Sequence, residues 1–322
     1  MSIETIKNIY ETAPIEMPPK LVVEDLASFL AKEIPPRELL LNPWLPVAGL
    51  CMIHAYRGIG KTHIALGIAY AIAQGGKFLC WEATKPGKVL YIDGEMPAAT
   101  LQERLARIVL MSGHDQILGA LNIITPDSQI DGSMPDLATK EGQELLDKYI
   151  TDDIDLVILD NLSCLAPSIK ENEAADWAII QTWALSLRKR GKAVLFIHHA
   201  GKTGLQRGTS KKEDVLDTVI ILERPNDYVA SQGARFVAKY EKTRGFFGDD
   251  ARAFEAQLCN DGEGKYFWKC KLMEEDTYHK VVTMLNSGNS QKDISIELEV
   301  DKSTVSRHAT KARQKGLLTR SK

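Results

Sequence analysis

The sequence predicts an α/β fold with a mainly parallel, doubly wound sheet, antiparallel strands at one edge of that sheet, and a small helical domain at the C-terminal end. Residues 89–92, 156–159 and 194–197 are apolar or aromatic throughout, as in strands that helices cover on both faces. Amphipathic helical patterns alternate with such strands from residue 45 to residue 222, which is typical of parallel sheets.

The individual elements follow from the same periodicities. We predict parallel strands at 50–54, 88–93, 121–124, 156–160, 193–198 and 218–222, and helices at 63–74, 98–111, 142–149 and 174–190. Closely spaced strands at 235–242, 253–258 and 265–271, separated by Gly/Asp turns, predict the antiparallel edge. A proline-rich arm with one short helix at 23–32 precedes the core, and the predicted domains are 1–44, 45–272 and 273–322.

Composition narrows the class of protein. The 322 residues are 44% hydrophobic and 26% charged, with a net charge of -3, which excludes a uniformly basic nucleic-acid coat but permits a local basic patch. The five cysteines are widely spaced and indicate neither a zinc site nor a disulfide framework. No apolar run approaches the roughly 18 residues of a membrane span, so we expect a cytoplasmic protein without a membrane partner.

Residues 55–62, Ala-Tyr-Arg-Gly-Ile-Gly-Lys-Thr, have the spacing of a phosphate-binding loop, with Ala55 at the place of the first glycine. A predicted strand precedes the loop and a predicted helix follows it, so the loop N–H groups and the helix N-terminus would cradle phosphates. The alternative is a chance match in an ordinary strand-to-helix turn. We predict that ATP and Mg²⁺ bind through Tyr56, Arg57, Gly58, Ile59, Gly60, Lys61, Thr62 and His63, with Lys61 on the β- and γ-phosphates and the Thr62 hydroxyl on the metal.

Polar residues at the ends of three predicted strands are candidates for the chemistry. Asp160 would hold Mg²⁺ opposite Thr62. Glu95 would orient the water that attacks the γ-phosphate, unless Gly94 makes a plain turn and Glu95 is solvated surface. One member of the His198-His199 pair would sense the γ-phosphate, and the other would be structural, since neighbours in a strand point to opposite faces.

Basic residues further along the chain are candidates for contacts between subunits and with DNA. Arg207, Lys242 and Arg244 lie where a monomer does not need them, and an arginine there could be a finger inserted into a neighbour's nucleotide or a solvated charge. The segment 202–212 is basic, as expected of a loop that contacts a single strand.

The tail predicts three helices, at 276–286, 291–298 and 302–315, with a short turn before the third. That is the layout of a helix-turn-helix. We predict that the third helix contacts DNA through Lys302, Ser303, Thr304, Ser306, Arg307 and Lys311. A helical cap or an oligomerisation module is the alternative.

Taken in order, these motifs resemble the RecA/DnaB superfamily of hexamer-forming ATPases, and most closely the plasmid RepA-type replicative helicases. The resemblance spans residues 45–271 and rests on the segments 43–46, 55–62, 91–96, 159–162, 198–199 with 207–210, and 242–245. It implies a RecA-like P-loop core, phosphate and Mg²⁺ binding by Lys61 and Thr62, Glu95 as the catalytic carboxylate and Asp160 as the second acidic residue. It also implies His198 or His199 as the γ-phosphate sensor, and Lys242 and Arg244, with Arg207 as a rival, acting across a subunit interface.

Three functional hypotheses follow. The first is an ATP-hydrolysing, ring-forming DNA motor, a helicase or helicase-like replication protein of a plasmid, phage or mobile element. The second is an ATP-switched DNA-binding regulator or loader without unwinding activity. The third is a recombination mediator that forms filaments on single strands.

Overall fold

The computed structural model describes residues 21–113, 117–168, 174–199, 213–273, 277–314 and 316–318. Arg207, the basic segment 202–212 and Lys315 therefore lie outside the described residues. The chain divides into two compact units, residues 1–37 and residues 38–322. In the first unit the described part contains helix α1 (Leu26–Leu30), which begins where the Asp25 side chain accepts hydrogen bonds from Ala27 N and Ser28 N.

The second unit is built on thirteen strands and eight α-helices among the residues that the structure describes. The strands are β1 (Leu39–Leu41), β2 (Leu45–Pro46), β3 (Leu50–Ala55), β4 (Lys77–Phe78), β5 (Trp81–Glu82), β6 (Val89–Asp93), β7 (Leu121–Ile124), β8 (Leu156–Asp160), β9 (Ala193–His199), β10 (Thr218–Glu223), β11 (Arg235–Thr243), β12 (Phe254–Asn260) and β13 (Tyr266–Leu272). The helices are α2 (Lys61–Gln74), α3 (Ala98–Ser112), α4 (Lys140–Asp147), α5 (Leu162–Leu165), α6 (Ala174–Lys189), α7 (Thr277–Asn286), α8 (Gln291–Glu297) and α9 (Lys302–Gln314).

Nine strands form one sheet in the order β13-β12-β11-β10-β3-β9-β8-β6-β7. The strands from β10 to β7 are parallel, whereas β10 to β13 pair antiparallel. This confirms the predicted α/β fold with a mainly parallel sheet and an antiparallel edge. Every residue of β6, β8 and β9 is buried, as their uniformly apolar sequences predicted.

The sheet separates two hydrophobic cores, because successive residues of a strand point to opposite faces. In β3, for example, Ile53 packs with the residues of α2 in one core. Its neighbour Met52 packs with Trp177 of α6 in the other. Helices on both faces make the sheet doubly wound and leave its carboxyl edge open to carry a site.

Two short hairpins, β1–β2 and β4–β5, do not appear among the predicted elements. Their strands are only two or three residues long, too short for a periodicity to register. Aromatic packing stabilises them: the rings of Trp44 and Trp81 lie 5.2 Å apart, and Trp81 Nε1 donates to the Tyr240 hydroxyl at 2.9 Å. The hairpins thereby extend the core that covers α2.

The predicted helices of the tail are present as α7, α8 and α9, and they share a small core of Val281, Ile294 and Val305. Ser290 begins α8 as its N-cap, with its hydroxyl accepting from Asp293 N. None of the helices described here is long and apolar enough to cross a membrane.

Candidate active site

A cavity of about 510 Å³ opens at the carboxyl edge of the parallel strands. This is where parallel α/β sheets bind their ligands. Residues from the predicted phosphate loop and from the ends of β6, β8 and β9 line it, together with two residues of α3 and one from the segment before β11: Arg57, Gly58, Ile59, Gly60, Lys61, Thr62, His63, Asp93, Glu95, Met96, Pro97, Thr100, Arg104, Asp160, Asn161, His199 and Ala234.

The phosphate loop tolerates Ala55 because that residue belongs to the strand. Ala55 is the last residue of β3, fully buried, and it pairs with His199 of β9 and Leu222 of β10 in the sheet register. The positive φ angles fall instead at Gly58 (77°) and Gly60 (112°), where glycine costs least. The unusual alanine therefore occupies a position that needs no glycine.

Lys61 begins α2 and lies almost completely buried under the loop. Its Nζ donates to the carbonyl oxygens of Ala55 at 3.1 Å and Tyr56 at 2.9 Å. Burial lowers the pKa of Lys61 to about 8, and the nearby Asp160 and Glu95 oppose that change. An anion at this position would replace the two carbonyls as the partner of the ammonium and favour its charged form.

Two buried carboxyls face each other beside the loop, because Asp93 of β6 and Asp160 of β8 are register partners. Asp160 accepts a hydrogen bond from the buried Tyr91 hydroxyl at 2.6 Å and one from the Thr62 side chain. Burial raises the pKa of Asp160 and raises that of Asp93 to about 6. The pair is thus a concentration of negative charge that a cation would relieve.

These residues fit Mg²⁺. The Asp160 carboxylate and the Thr62 hydroxyl already contact each other, and magnesium is commonly held by one or two carboxylates together with substrate phosphates and water. Within the described ranges, no group of three or more His, Cys, Asp or Glu side chains is arranged to hold a metal ion by itself. The donor set therefore suits a metal that arrives with a phosphate ligand.

Glu95 faces the same cavity, with its side chain 61% exposed. Its Oε2 accepts a hydrogen bond from the Asn161 amide and lies 3.8 Å from His199 Nε2. A Cβ at Gly94 would lie 2.9 Å from a Leu165 methyl, so only glycine lets this segment pack closely on α5. Gly94 thus sets the position of the neighbouring Glu95.

The two histidines at the end of β9 separate as the strand alternation requires. His199 lines the cavity, and burial lowers its pKa, which favours the neutral ring. His198 does not line the cavity and is the register partner of His54 on β3. Of the two alternatives, the geometry favours His199 beside a bound phosphate.

Lys242 and Arg244 lie at the other end of the sheet from the cavity. In the sheet register Lys242 pairs with Val219 of β10, and Val219 pairs with Met52 of β3. Met52 precedes Ala55, where the phosphate loop begins, by three residues, which is roughly 10 Å along the strand. Lys242 donates to the carbonyls of Glu213 and Asp214, and Arg244 Nη2 donates to Asp214 O at 2.8 Å. The structure does not bring them to the nucleotide cavity of their own subunit.

Several residues at or beside the cavity were not among the sequence-based candidates. Arg104 reaches the cavity from α3, and Asn161 does so from the residue after Asp160. Arg224, which follows β10, donates from Nη2 to Gly58 O at 3.3 Å. Among these three residues, the sequence marks only Asn161 as a candidate, because it is a polar residue directly at a strand end. Nothing in the helical pattern distinguishes Arg104 from the nearby Arg107.

The candidate DNA contacts all lie on α9. Five are exposed and Thr304 is half-buried, because α9 turns Val305, Ala309 and Ala312 toward the core. Lys311 Nζ lies 5.1 Å from the centre of the Tyr278 ring. The exposed residues are Lys302, Ser303, Ser306, Arg307 and Lys311.

The sequence matches the model of a known protein family, and the fold is similar to that of a solved structure. A family model described as AAA domain matches residues 14–204, more than half of the chain. Among solved structures, the chain is similar to a KaiC-like protein from the hyperthermophilic archaeon Pyrococcus horikoshii OT3, with a TM-score of 0.48 and 12% identity over 73% of this chain and 94% of that chain. No curated protein matches the sequence.

Proposed function

Because the chain belongs to the AAA domain family of P-loop ATPases, we propose that it is an ATP-hydrolysing DNA motor that assembles into a ring, a helicase or helicase-like replication protein of a plasmid, phage or mobile element. One observation carries this proposal. The cavity gathers Lys61, Thr62, Glu95 and Asp160 of one subunit, whereas Lys242 and Arg244 lie at the opposite end of the sheet.

In this proposal each cavity residue has one task. Mg²⁺-ATP supplies the phosphoryl group that is transferred to water. Lys61 would exchange its two carbonyl partners for phosphate oxygens, and Thr62 with Asp160 would hold the metal. Glu95 accepts the proton of the attacking water, with the Asn161 amide fixing its orientation. His199, 3.8 Å from Glu95, would report the presence of the γ-phosphate.

Lys242 and Arg244 act on the nucleotide of a neighbouring subunit. Their hydrogen bonds to the carbonyls of residues 213 and 214 present them on the edge away from their own cavity. Head-to-tail contact between identical subunits would bring this edge to the neighbour's cavity, and such contacts close into a ring when the rotation permits. This arrangement supports a homo-oligomer, and we propose a hexamer.

Mixing two inactive variants tests the shared site. Lys61→Ala and Arg244→Ala should each lower the ATPase kcat by about 100-fold or more, as the loss of one preorganised donor does. In an equal mixture about one quarter of the interfaces would join an intact cavity to an intact finger, so about a quarter of the wild-type rate should return.

Lys239→Ala is the matched control, since Lys239 lies on β11, the strand that ends just before Arg244, and forms a surface ion pair with Glu223. It should keep wild-type activity. Full activity of Arg244→Ala, or no recovery in the mixture, would contradict a site completed by the neighbour.

The exposed basic surface of α9 favours a second candidate, an ATP-switched DNA-binding regulator or loader. Strand displacement separates the two: the wild type should unwind a forked duplex with ATP, and Glu95→Gln, with a kcat lowered by about 100-fold to 10,000-fold, should bind DNA without unwinding it. A wild type that hydrolyses ATP and binds DNA but displaces no strand would establish the regulator instead.

The DNA contacts of α9 can be tested independently of unwinding. Arg307→Ala and Lys311→Ala should weaken duplex binding and reduce the salt slope by about one each, whereas the exposed Lys292→Ala on α8 serves as the control. If the α9 variants bind duplex as the wild type does, the tail has another role.

A further inference from the structure

Two cysteines far apart in sequence meet at the antiparallel edge of the sheet. Cys80 lies in the turn of the hairpin β4–β5 and is exposed, and Cys270 lies on β13 and is half-buried. Their side chains are hydrogen-bonded to each other. The spacing of the cysteines along the chain does not indicate this pair, because 189 residues separate its members.

Aromatic packing holds the two backbones in this position. The Phe78 and Trp268 rings lie 5.9 Å apart in an edge-to-face arrangement. The Trp81 and Phe254 rings lie 5.4 Å apart in the same geometry. Since Trp268 and Cys270 are two residues apart on β13, they share one face of the strand, the face on which the hairpin packs. The two cysteines therefore lie where the hairpin packs on the edge strand β13.

We propose that Cys80 and Cys270 form a reversible disulfide that fastens the hairpin β4–β5 to the edge strand β13 under oxidising conditions. The cysteines do not line the nucleotide cavity, so this inference is independent of the proposed function. The proposal goes beyond the sequence-based expectation, because the fold supplies a proximity that the spacing of the cysteines does not show.

The environment assigns a role to each thiol. The hydrogen bond with Cys270 lowers the pKa of Cys80 and raises the pKa of Cys270. Cys80 is also the exposed member, so it is the group that reacts first, because the thiolate is the nucleophile in thiol–disulfide exchange.

The oxidant is a low-molecular-weight disulfide such as glutathione disulfide. The Cys80 thiolate attacks one sulfur of glutathione disulfide, the S–S bond of that molecule breaks, and one glutathione thiolate leaves. Cys270 then loses its proton and attacks the Cys80 sulfur, and the second glutathione thiolate leaves. Two protein thiols are oxidised to one disulfide, glutathione disulfide is reduced to two thiols, and the protons pass to the leaving thiolates.

The test uses the full-length chain treated with glutathione disulfide and then analysed by thiol counting and by mass mapping of a non-reduced digest. We expect the loss of two free thiols, a linked pair of peptides that contain Cys80 and Cys270, and full reversal by dithiothreitol. The Cys270→Ser variant should instead retain glutathione on Cys80, since nothing resolves the mixed disulfide. Cys259→Ser, a half-buried cysteine on the adjacent strand, should behave as the wild type.

Thermal unfolding of the oxidised and the reduced chain gives a second, independent measurement. Closing so long a loop should raise the Tm of the oxidised wild type by roughly 5 °C or more relative to the reduced form. The Cys80→Ser variant should show no such difference. Stable glutathionylation of wild-type Cys80, or a cross-link between two chains in place of the internal one, would overturn the proposal.

Discussion

Asp93 offers a test of the electrostatics of the cavity. Its carboxyl is 2% exposed, its Oδ2 accepts a hydrogen bond from Met96 N at 2.8 Å, and burial raises its pKa from 3.8 to about 6. Asp93→Asn removes the charge but keeps an oxygen that can accept the Met96 hydrogen bond. The substitution therefore isolates the cost of a buried negative charge.

Proton binding sets the direction in which the free energy of unfolding changes with pH. Because the pKa of Asp93 is higher in the folded than in the unfolded chain, the folded chain binds more protons between about pH 4 and pH 6, and stability is lost as the pH rises through that window. At 1.36 kcal/mol per pH unit, the full penalty above pH 6 is about 3 kcal/mol. Because the cavity is open to water, we expect about 1–3 kcal/mol to be recovered by Asp93→Asn.

The assay is urea unfolding without nucleotide or Mg²⁺, at several values from about pH 4.5 to about pH 7.5. The free energy of unfolding of Asp93→Asn should exceed that of the wild type by an amount that grows up to about pH 6 and is constant above it. Asp152→Asn, at an exposed position, is the control and should change little. Equal stabilisation at every pH, or destabilisation near neutral pH, would refute the argument.

Two further predictions concern a buried hydrogen bond to Asp160 and the packing of α2 against the hairpin β4–β5. Tyr91→Phe removes the 2.6 Å hydrogen bond to Asp160 and should lower the free energy of unfolding by about 1–3 kcal/mol, because a buried acceptor loses its donor; an unchanged urea midpoint would contradict this. In Gly67→Ala a new Cβ would lie 2.2 Å from the Phe78 ring, so an overpacking cost of about 1–3 kcal/mol should outweigh a helix-propensity gain of about 1 kcal/mol. Gly76→Ala, with open space around it, should leave the Tm unchanged or slightly higher, and equal Tm values for the two glycine variants would be the contrary result.

The elements that the sequence predicted well are those whose signal is local. The strand β8 was predicted with the bounds that the structure has, because a short run of buried residues must be apolar throughout. The three tail helices were predicted to within one or two residues for a similar reason, a regular spacing of apolar side chains. The hairpins β1–β2 and β4–β5 were missed, because their stability comes from aromatic contacts with distant strands.

The candidate site likewise contains residues that a local pattern identified and residues that it did not. By itself the sequence determined the phosphate loop with Lys61 and Thr62, since that motif is contiguous and its spacing carries the chemistry. It also identified Glu95 and Asp160 as polar residues at strand ends, although their catalytic roles stay predictions.

Only the tertiary structure decided which residues converge. Strand order brings β3, β9, β8 and β6 side by side, and the packing of the helices adds Arg104 and Asn161 to the cavity. Side-chain alternation along β9 favours His199 over His198, and the antiparallel register of β11 sets Lys242 and Arg244 apart from the cavity. Aromatic packing of the hairpin β4–β5 on β12 and β13 brings Cys80 to Cys270. The physical reason is that proximity across a sheet depends on register and on side-chain alternation between strands, and these long-range pairings leave no fixed spacing in the chain.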